Sequence, residues 1–253
     1  MNRPSDPGQE RVPRLFCPGD IAAGALLQLP DQAAHHAVRV LRLAPGDAVR
    51  LFNGAGAEWQ AEIAGVRKSG VSVRVGARHE RDVEAALHVV LAQAISARER
   101  MELTLQKAVE LGVAEIQPLE TRRSVVRLRE ERASRRVEHW QNLVAAACEQ
   151  CGRNRIPPVH PIDSLPDWLG ALGRPPTQAR LMLSPGGALR LRELPAPASV
   201  ILLAGPEGGL APEEQELAEL FGFRAVRLGP RILRTETAAL AGLAAMHALW
   251  GDF

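Results

Sequence analysis

Beyond residue 86 the sequence alternates apolar runs of strand length with amphipathic helical stretches, and no other feature narrows the possible folds so far. LHVVLAQA (87–94) reads as a buried strand. RERMELTLQKAVELG then sets Met101, Leu105, Ala108 and Val109 on one helical face, and Gly112 stands where a glycine would stop the helix. VAEIQPL (113–119) is the next strand. A helix over 134–151 carries Val137, Trp140, Val144, Ala147, Cys148 and Cys151 along one stripe. Further strands are expected at 180–184, 200–204 and 225–228, with helices at 212–221 and 236–250. Alternation of this kind predicts an α/β domain whose mostly parallel sheet is covered on both faces.

The rhythm before that point is different. Pro45-Gly46-Asp47, Asn53-Gly54 and Ser69-Gly70 separate the partly alternating runs 48–52, 58–63 and 71–75. Short strands so closely spaced predict a small β-rich module, closed as a barrel and interrupted by a helical turn or two over 32–41. The expected organisation is a tail (1–13), a β module (14–78), a charged linker (79–86) and the α/β domain (87–253). A length of 253 residues, 46% of them hydrophobic, suits two such units.

Composition then excludes several classes. No apolar run approaches the ~20 residues of a membrane span, and the N-terminal MNRPSDPGQERVPR has no apolar core of a signal peptide. Cys17, Cys148 and Cys151 do not make a disulfide framework, so a reducing cytoplasm is expected. Cys148-x-x-Cys151 lacks the second ligand pair that structural zinc wants, and both cysteines fall on an apolar helical stripe, so no metal is expected. A formal charge of +2 says little about partners. The basic residues are nearly all arginine, Lys68 and Lys107 being the lysines. That excess fits G+C-rich codon usage, and it equally supplies planar phosphate contacts.

Two segments carry the chemistry. In VILLAGPEGGLAPEEQELAEL (200–220) an apolar run ends in Gly205-Pro206-Glu207-Gly208-Gly209 before a helix. The context is a ligand-binding turn at the carboxyl end of a parallel sheet, or simply a tight turn with Pro212 opening the helix. A phosphate cradle is disfavoured: the Gly-Lys-Ser/Thr ending and the G-x-G-x-x-G spacing are both missing, and Glu207 would repel an anion. RAVRLGPRILRTETAALAGLAAMHALW (224–250) repeats the arrangement, with Thr235 as a candidate N-cap and Glu236 at the positive end of the helix dipole. Two neighbouring strands ending in Gly-Pro loops would form a cleft of bare amides and carbonyls, suited to a neutral or cationic purine-bearing ligand. The last helix is small and apolar nearly all round, as expected for packing inside the domain or at a subunit interface.

The strings LLAGPEGGL (202–210), LGPRILRTETA (228–238) and ACEQCGRNRIP (147–157) together resemble the bacterial 16S ribosomal RNA uracil-N3 methyltransferases, the RsmE family. RMELTLQKAVELGVAEIQPL (100–119) and HAVRVLRL (36–43) resemble it too, so the likeness runs in order from Val12 to Phe253. The resemblance implies an N-terminal PUA-like β-barrel and a C-terminal SPOUT methyltransferase domain with a deep trefoil knot, an exception to the rule against threaded connections. It implies a homodimer that uses S-adenosylmethionine to methylate N3 of a uridine in the decoding region of 16S rRNA, within the small ribosomal subunit. Carried over by position, the cofactor pocket would draw on Leu203, Gly205, Glu207, Gly208 and Gly209, closed by Leu228, Gly229, Ile232 and Leu233. Ser184, before Pro185, departs from the histidine of some members.

Methyl transfer to N3 needs an unpaired base with its N3 proton removed, held in line with the donor. A guanidinium beside the uracil carbonyls would stabilise the charge that gathers there. Arg234, in RILRTET, is the candidate catalytic residue; a carbonyl clamp or an ion pair to Glu236 are its other readings. For RNA contacts, TRRSVVRLREERASRR (121–136) holds seven arginines against two glutamates, Arg122 and Arg123 among them. Arg153 and Arg155 lie in a Gly/Asn-containing loop, and Arg14, Arg39 and Arg42 in the β module are further candidates. Aromatics make up only 4% of residues, so base stacking on exposed rings is not expected.

Overall fold

The computed structural model describes residues 12–124, 130–173 and 178–253. The chain divides into two units: residues 1–83 with 152–156, and 84–151 with 157–253.

The first unit is a five-stranded sheet of β1 (Arg14–Phe16), β2 (Leu26–Gln28), β3 (Ala48–Phe52), β4 (Ala57–Arg67) and β5 (Gly70–Glu80), in the order β1-β3-β4-β5-β2. β4 and β5 form a long antiparallel hairpin around Lys68-Ser69, with Gly70 at a φ of +135°. Alternation along these strands buries Trp59, Ala61 and Ile63 from β4 and Val71, Val73 and Val75 from β5. They share a core with Leu15, Val49 and Leu51. Helix α1 (Asp31–His35) continues as a π-helical stretch over His36–Val40 and sets Ala33 and Ala37 in the same core. β5 runs to Glu80, so the start of the expected linker is strand.

Residues 152–156 return to this unit. Gly56 donates to the Asn154 carbonyl at 3.0 Å and Ile156 to the Gly54 carbonyl at 3.2 Å. Arg14 Nη2 donates to the Arg153 carbonyl (2.9 Å) and to Asn154 Oδ1 (2.8 Å), while its Nη1 pairs with Glu58. Glu58 is 1% exposed and also takes Arg50. Burial alone pushes the Glu58 carboxyl up; hydrogen bonds and charge from Arg50 and Arg14 outweigh it and hold it below the usual glutamate range.

The second unit is a six-stranded sheet in which every pairing is parallel. Its strands are β6 (His88–Ala94), β7 (Glu115–Glu120), β8 (Asp163–Ser164), β9 (Gln178–Leu183), β10 (Ser199–Ala204) and β11 (Arg224–Val226), in the order β11-β9-β10-β6-β7-β8. The helices are α2 (Arg98–Glu110), α3 (Glu130–Cys151), α4 (Leu165–Ala171), α5 (Pro212–Leu220) and α6 (Thr235–Trp250). β10 shows how both faces are covered. Ile201 and Leu203 face a cluster containing Leu165 and Leu169 of α4 and Ala218 of α5. Leu202 points the other way, where a Cβ at Gly242 of α6 would come within 3.2 Å of it. Each such fully buried leucine contributes roughly 1.5–3 kcal/mol.

Parallel strands put all their carboxyl ends on one edge. The loops after β9, β10 and β11 therefore emerge side by side, with that of β9 in the middle. This corrects the expectation that the two Gly-Pro loops follow neighbouring strands: β9 separates them.

Candidate active site

At that edge lies a cleft of about 340 Å³. It is lined by Leu183, Ser184 and Pro185 at the end of β9 and beyond it, Ala204 through Leu210 likewise for β10, and Val226, Leu228, Gly229, Arg231, Ile232 and Leu233 for β11. Arg123, Gln215, Thr235 and Ala238 complete it.

The loop Gly205–Gly209 turns back on itself through a bond from the Gly209 amide to the Pro206 carbonyl, 2.9 Å. Gly205 has to be glycine because a Cβ there would sit 2.9 Å from the Leu210 nitrogen. Gly209 has a φ of +66°.

Three contacts with remote parts of the chain hold this loop. Glu207 Oε1 accepts from the Ala97 amide at 2.8 Å, at the N-terminus of α2, and lies 3.3 Å from Arg100. Arg123 Nη1 donates to the Gly208 carbonyl at 2.8 Å. Thr235 Oγ1 donates to the Gly205 carbonyl at 2.6 Å and accepts from Gln93 Nε2 at 3.1 Å. Helix α5 is pinned beside them: buried Glu214 accepts from its own cap amide, Ala211 (2.8 Å), and from the Arg122 amide (2.7 Å).

Of the residues expected to hold a cofactor, Gly205, Glu207, Gly208, Gly209, Leu228, Gly229, Ile232 and Leu233 all line the cleft. Leu203 does not: its alternation in β10 turns its side chain into the core, fully buried behind the loop. Thr235 is not the N-cap. Arg234 holds that position with an extended backbone, and Thr235, the first helical residue, spends its hydroxyl on the Gly205 loop instead.

Arg234 is exposed, just outside the cleft, and forms neither an ion pair with Glu236 nor a carbonyl clamp among the described residues. Of the arginines expected to meet RNA, Arg39, Arg42 and Arg155 are exposed. Arg122 makes a surface pair with Glu213 at 3.1 Å, and Arg123 serves the cleft. Arg14 and Arg153 are corrected. Arg153 is buried, and Arg14 is consumed by Glu58 and the 152–156 loop, so neither presents a cation to solvent. The rest of the arginine-rich stretch, 125–129, lies outside the described residues.

Sequence reasoning singled out Ser184, before Pro185, as a departure from the family but did not assign the pair to the cleft, of which it forms a wall. LMLSPGG (181–187) carries the signal, an apolar strand ending in a proline- and glycine-containing turn as the other two strands do. Gly187 is as constrained as Gly205, since a Cβ there would meet the Val226 backbone at 2.8 Å. Cys148 and Cys151 lie on α3, the first buried and the second half-buried. No cluster of potential metal ligands exists among the described residues, and no helix among them is long and apolar enough to cross a membrane.

Known proteins share this architecture. A family model for the RNA methyltransferase domain matches residues 83–247, and one for the RNA methyltransferase PUA domain matches 29–76. The chain belongs to the ribosomal RNA small subunit methyltransferase E family. The member from Buchnera aphidicola subsp. Schizaphis graminum is 31% identical over 245 residues, covering 96% of this chain and 99% of that one. The Bacillus subtilis member is 32% identical over 227 residues, covering 86% and 88%. Among solved structures, the Neisseria gonorrhoeae member bound to S-adenosyl methionine superposes with a TM-score of 0.89 at 40% identity, over 96% of this chain and all of that one.

Proposed function

We propose that this protein transfers a methyl group from S-adenosylmethionine to N3 of a uridine in the decoding region of 16S rRNA. The observation that carries the reading is the cleft itself, walled by three parallel-strand loops whose glycine segment has neither the P-loop ending nor the G-x-G-x-x-G spacing. Its chemistry fits the cofactor. Leu183, Leu228, Ile232, Leu233 and Ala238 offer apolar walls for a purine, and the loop amides and carbonyls can read its edge. Glu207 adds a carboxylate whose Oε2 has no partner among the described residues, complementing a cationic ligand rather than a phosphate.

When bound, the cofactor supplies an electrophilic methyl on a sulfonium centre. The protein's part is to hold the uracil in line with it, exclude water and stabilise charge on the uracil carbonyls as the N3 proton leaves. Arg234, just outside the cleft and without an ion-pair partner among the described residues, is suited to that charge stabilisation. Arg39, Arg42, Arg122 and Arg155 are suited to steering the RNA. The first unit acts as a PUA-like barrel. The Thr235–Gly205 hydrogen bond supports a knotted threading of the two loops, which it ties together. The exposed apolar side chains Ile232, Leu249 and Phe253 support a homodimer in which a second copy covers them.

The test is methyl transfer from labelled cofactor to small subunits of a strain lacking the enzyme, followed by nucleoside analysis. Label in 3-methyluridine is the expected result. Label in a ribose 2′-hydroxyl or in guanine overturns the assignment of the acceptor, and absence of cofactor binding by calorimetry overturns the enzyme reading altogether.

A further inference from the structure

Behind the loop that closes the cofactor cleft lies a second cleft of about 500 Å³, lined by Arg190, Arg192, Arg227, Leu228, Gly229 and Ala245 among others. We infer that this basic cleft binds a phosphodiester of the RNA strand that delivers the target base. The inference rests on the proposed RNA methylation and assigns a contact that reading does not contain.

The arginines are brought together by the fold. After β9 the chain runs alongside β11, where Leu189 bridges Val226 in parallel register and the Arg227 amide donates to the Leu189 carbonyl at 2.9 Å. A single 3₁₀ turn, Leu191–Glu193, follows. Leu191 is buried and anchors that turn, so its neighbours Arg190 and Arg192 stay exposed. Arg227, half-buried, faces the same cleft from the end of β11.

Their charge is nearly uncompensated. Arg190 approaches Glu193 only to 3.9 Å, and Arg192 and Arg227 have no acidic partner among the described residues. Three guanidinium groups around one concavity raise its potential and favour an anion with several acceptor oxygens. The cofactor's own carboxylate is a poor match, because the cofactor cleft lies across the wall. Leu228 and Gly229 line both clefts, so the two ligands would share a wall made of these residues. A base placed in the first cleft carries its backbone past that wall. Arginines beyond it meet the chain of phosphates, not the base. Contacts of that kind fix register without reading sequence.

The experiment uses the full chain carrying Arg190→Gln, Arg192→Gln and Arg227→Gln together, with transcribed 16S rRNA as the probe. RNA affinity is expected to fall ten-fold or more near physiological salt. The slope of log affinity against log salt should lose roughly 2, at about 0.7 per single-strand phosphate contact. Cofactor affinity by calorimetry should stay within about twofold, and the corresponding triple lysine variant should recover most of the slope. An unchanged affinity and slope overturn the inference. So does a change in sedimentation mass with RNA binding intact, which would make this face a contact between copies. A wild type that takes the cofactor but leaves the RNA unbound overturns the RNA reading itself, and this inference with it.

Discussion

Thr235→Val tests whether the cofactor loop is held by a hydrogen bond rather than by packing. Valine keeps the β-branched shape but loses the hydroxyl that donates to the Gly205 carbonyl at 2.6 Å and accepts from Gln93 at 3.1 Å. Gln93 is fully buried, and its Nε2 keeps one acceptor, the Ala94 carbonyl at 3.0 Å. The main loss therefore falls on the Gly205 carbonyl. Leaving one such group unsatisfied costs about 1–3 kcal/mol. Part of that will appear as lost stability in urea unfolding and part as weakened cofactor binding. If all of it falls on the bound loop, the dissociation constant rises roughly 5- to 150-fold. Isothermal calorimetry with S-adenosylmethionine measures the second share directly. Thr235→Ser, which keeps the hydroxyl, should stay close to wild type in both assays. A valine variant within about 0.5 kcal/mol of wild type in stability and twofold in affinity refutes the reasoning, because background surface changes reach that size.

Other perturbations have equally definite outcomes. Gly205→Ala forces a Cβ to 2.9 Å from the Leu210 nitrogen, so the loop must move; overpacking of this kind costs about 1–3 kcal/mol, and calorimetry should show cofactor affinity reduced roughly 5- to 150-fold. Arg234→Ala is expected to lower the turnover rate about 10²- to 10³-fold, as loss of a charge-stabilising donor does, with cofactor affinity unchanged; near-normal turnover at saturating substrates removes the role. Glu58 has a folded pKa below its unfolded value, so its contribution is complete above the ordinary glutamate range and is lost as pH falls through the lower folded value. Melting curves of Glu58→Gln against wild type should thus differ most near neutrality, by up to about 3–5 kcal/mol for a broken buried pair, and converge in acid.

The periodic elements were legible. The helical spacing of Met101, Leu105, Ala108 and Val109 corresponds to α2, where all four are buried, and the runs at 200–204 and 48–52 correspond to β10 and β3. What escaped was set by long-range pairing. Asn154 and Ile156 bond to the loop Gly54–Gly56, about a hundred residues away, and five residues carry no period that would announce it. Arg14 reads as a surface cation until Glu58, 44 residues on, is found buried beside it. The two-turn helix α4 was too short for periodicity, although Ser164 with Asp167 spells its cap: the Asp167 amide donates to Ser164 Oγ at 3.2 Å. In the cleft the glycines declared themselves, but the strand order did not, so the loop after β9 was noticed at Ser184 without being assigned a place in the cleft.

The three tethers on the glycine loop come from Ala97, Arg123 and Thr235, points scattered along most of the second unit. A nascent chain lengthening residue by residue gains its last tether only when Thr235 has been synthesised. No shorter intermediate can harbour a finished binding surface, so the order in which the parts arrive leaves capture of the methyl donor weak until the chain is almost complete.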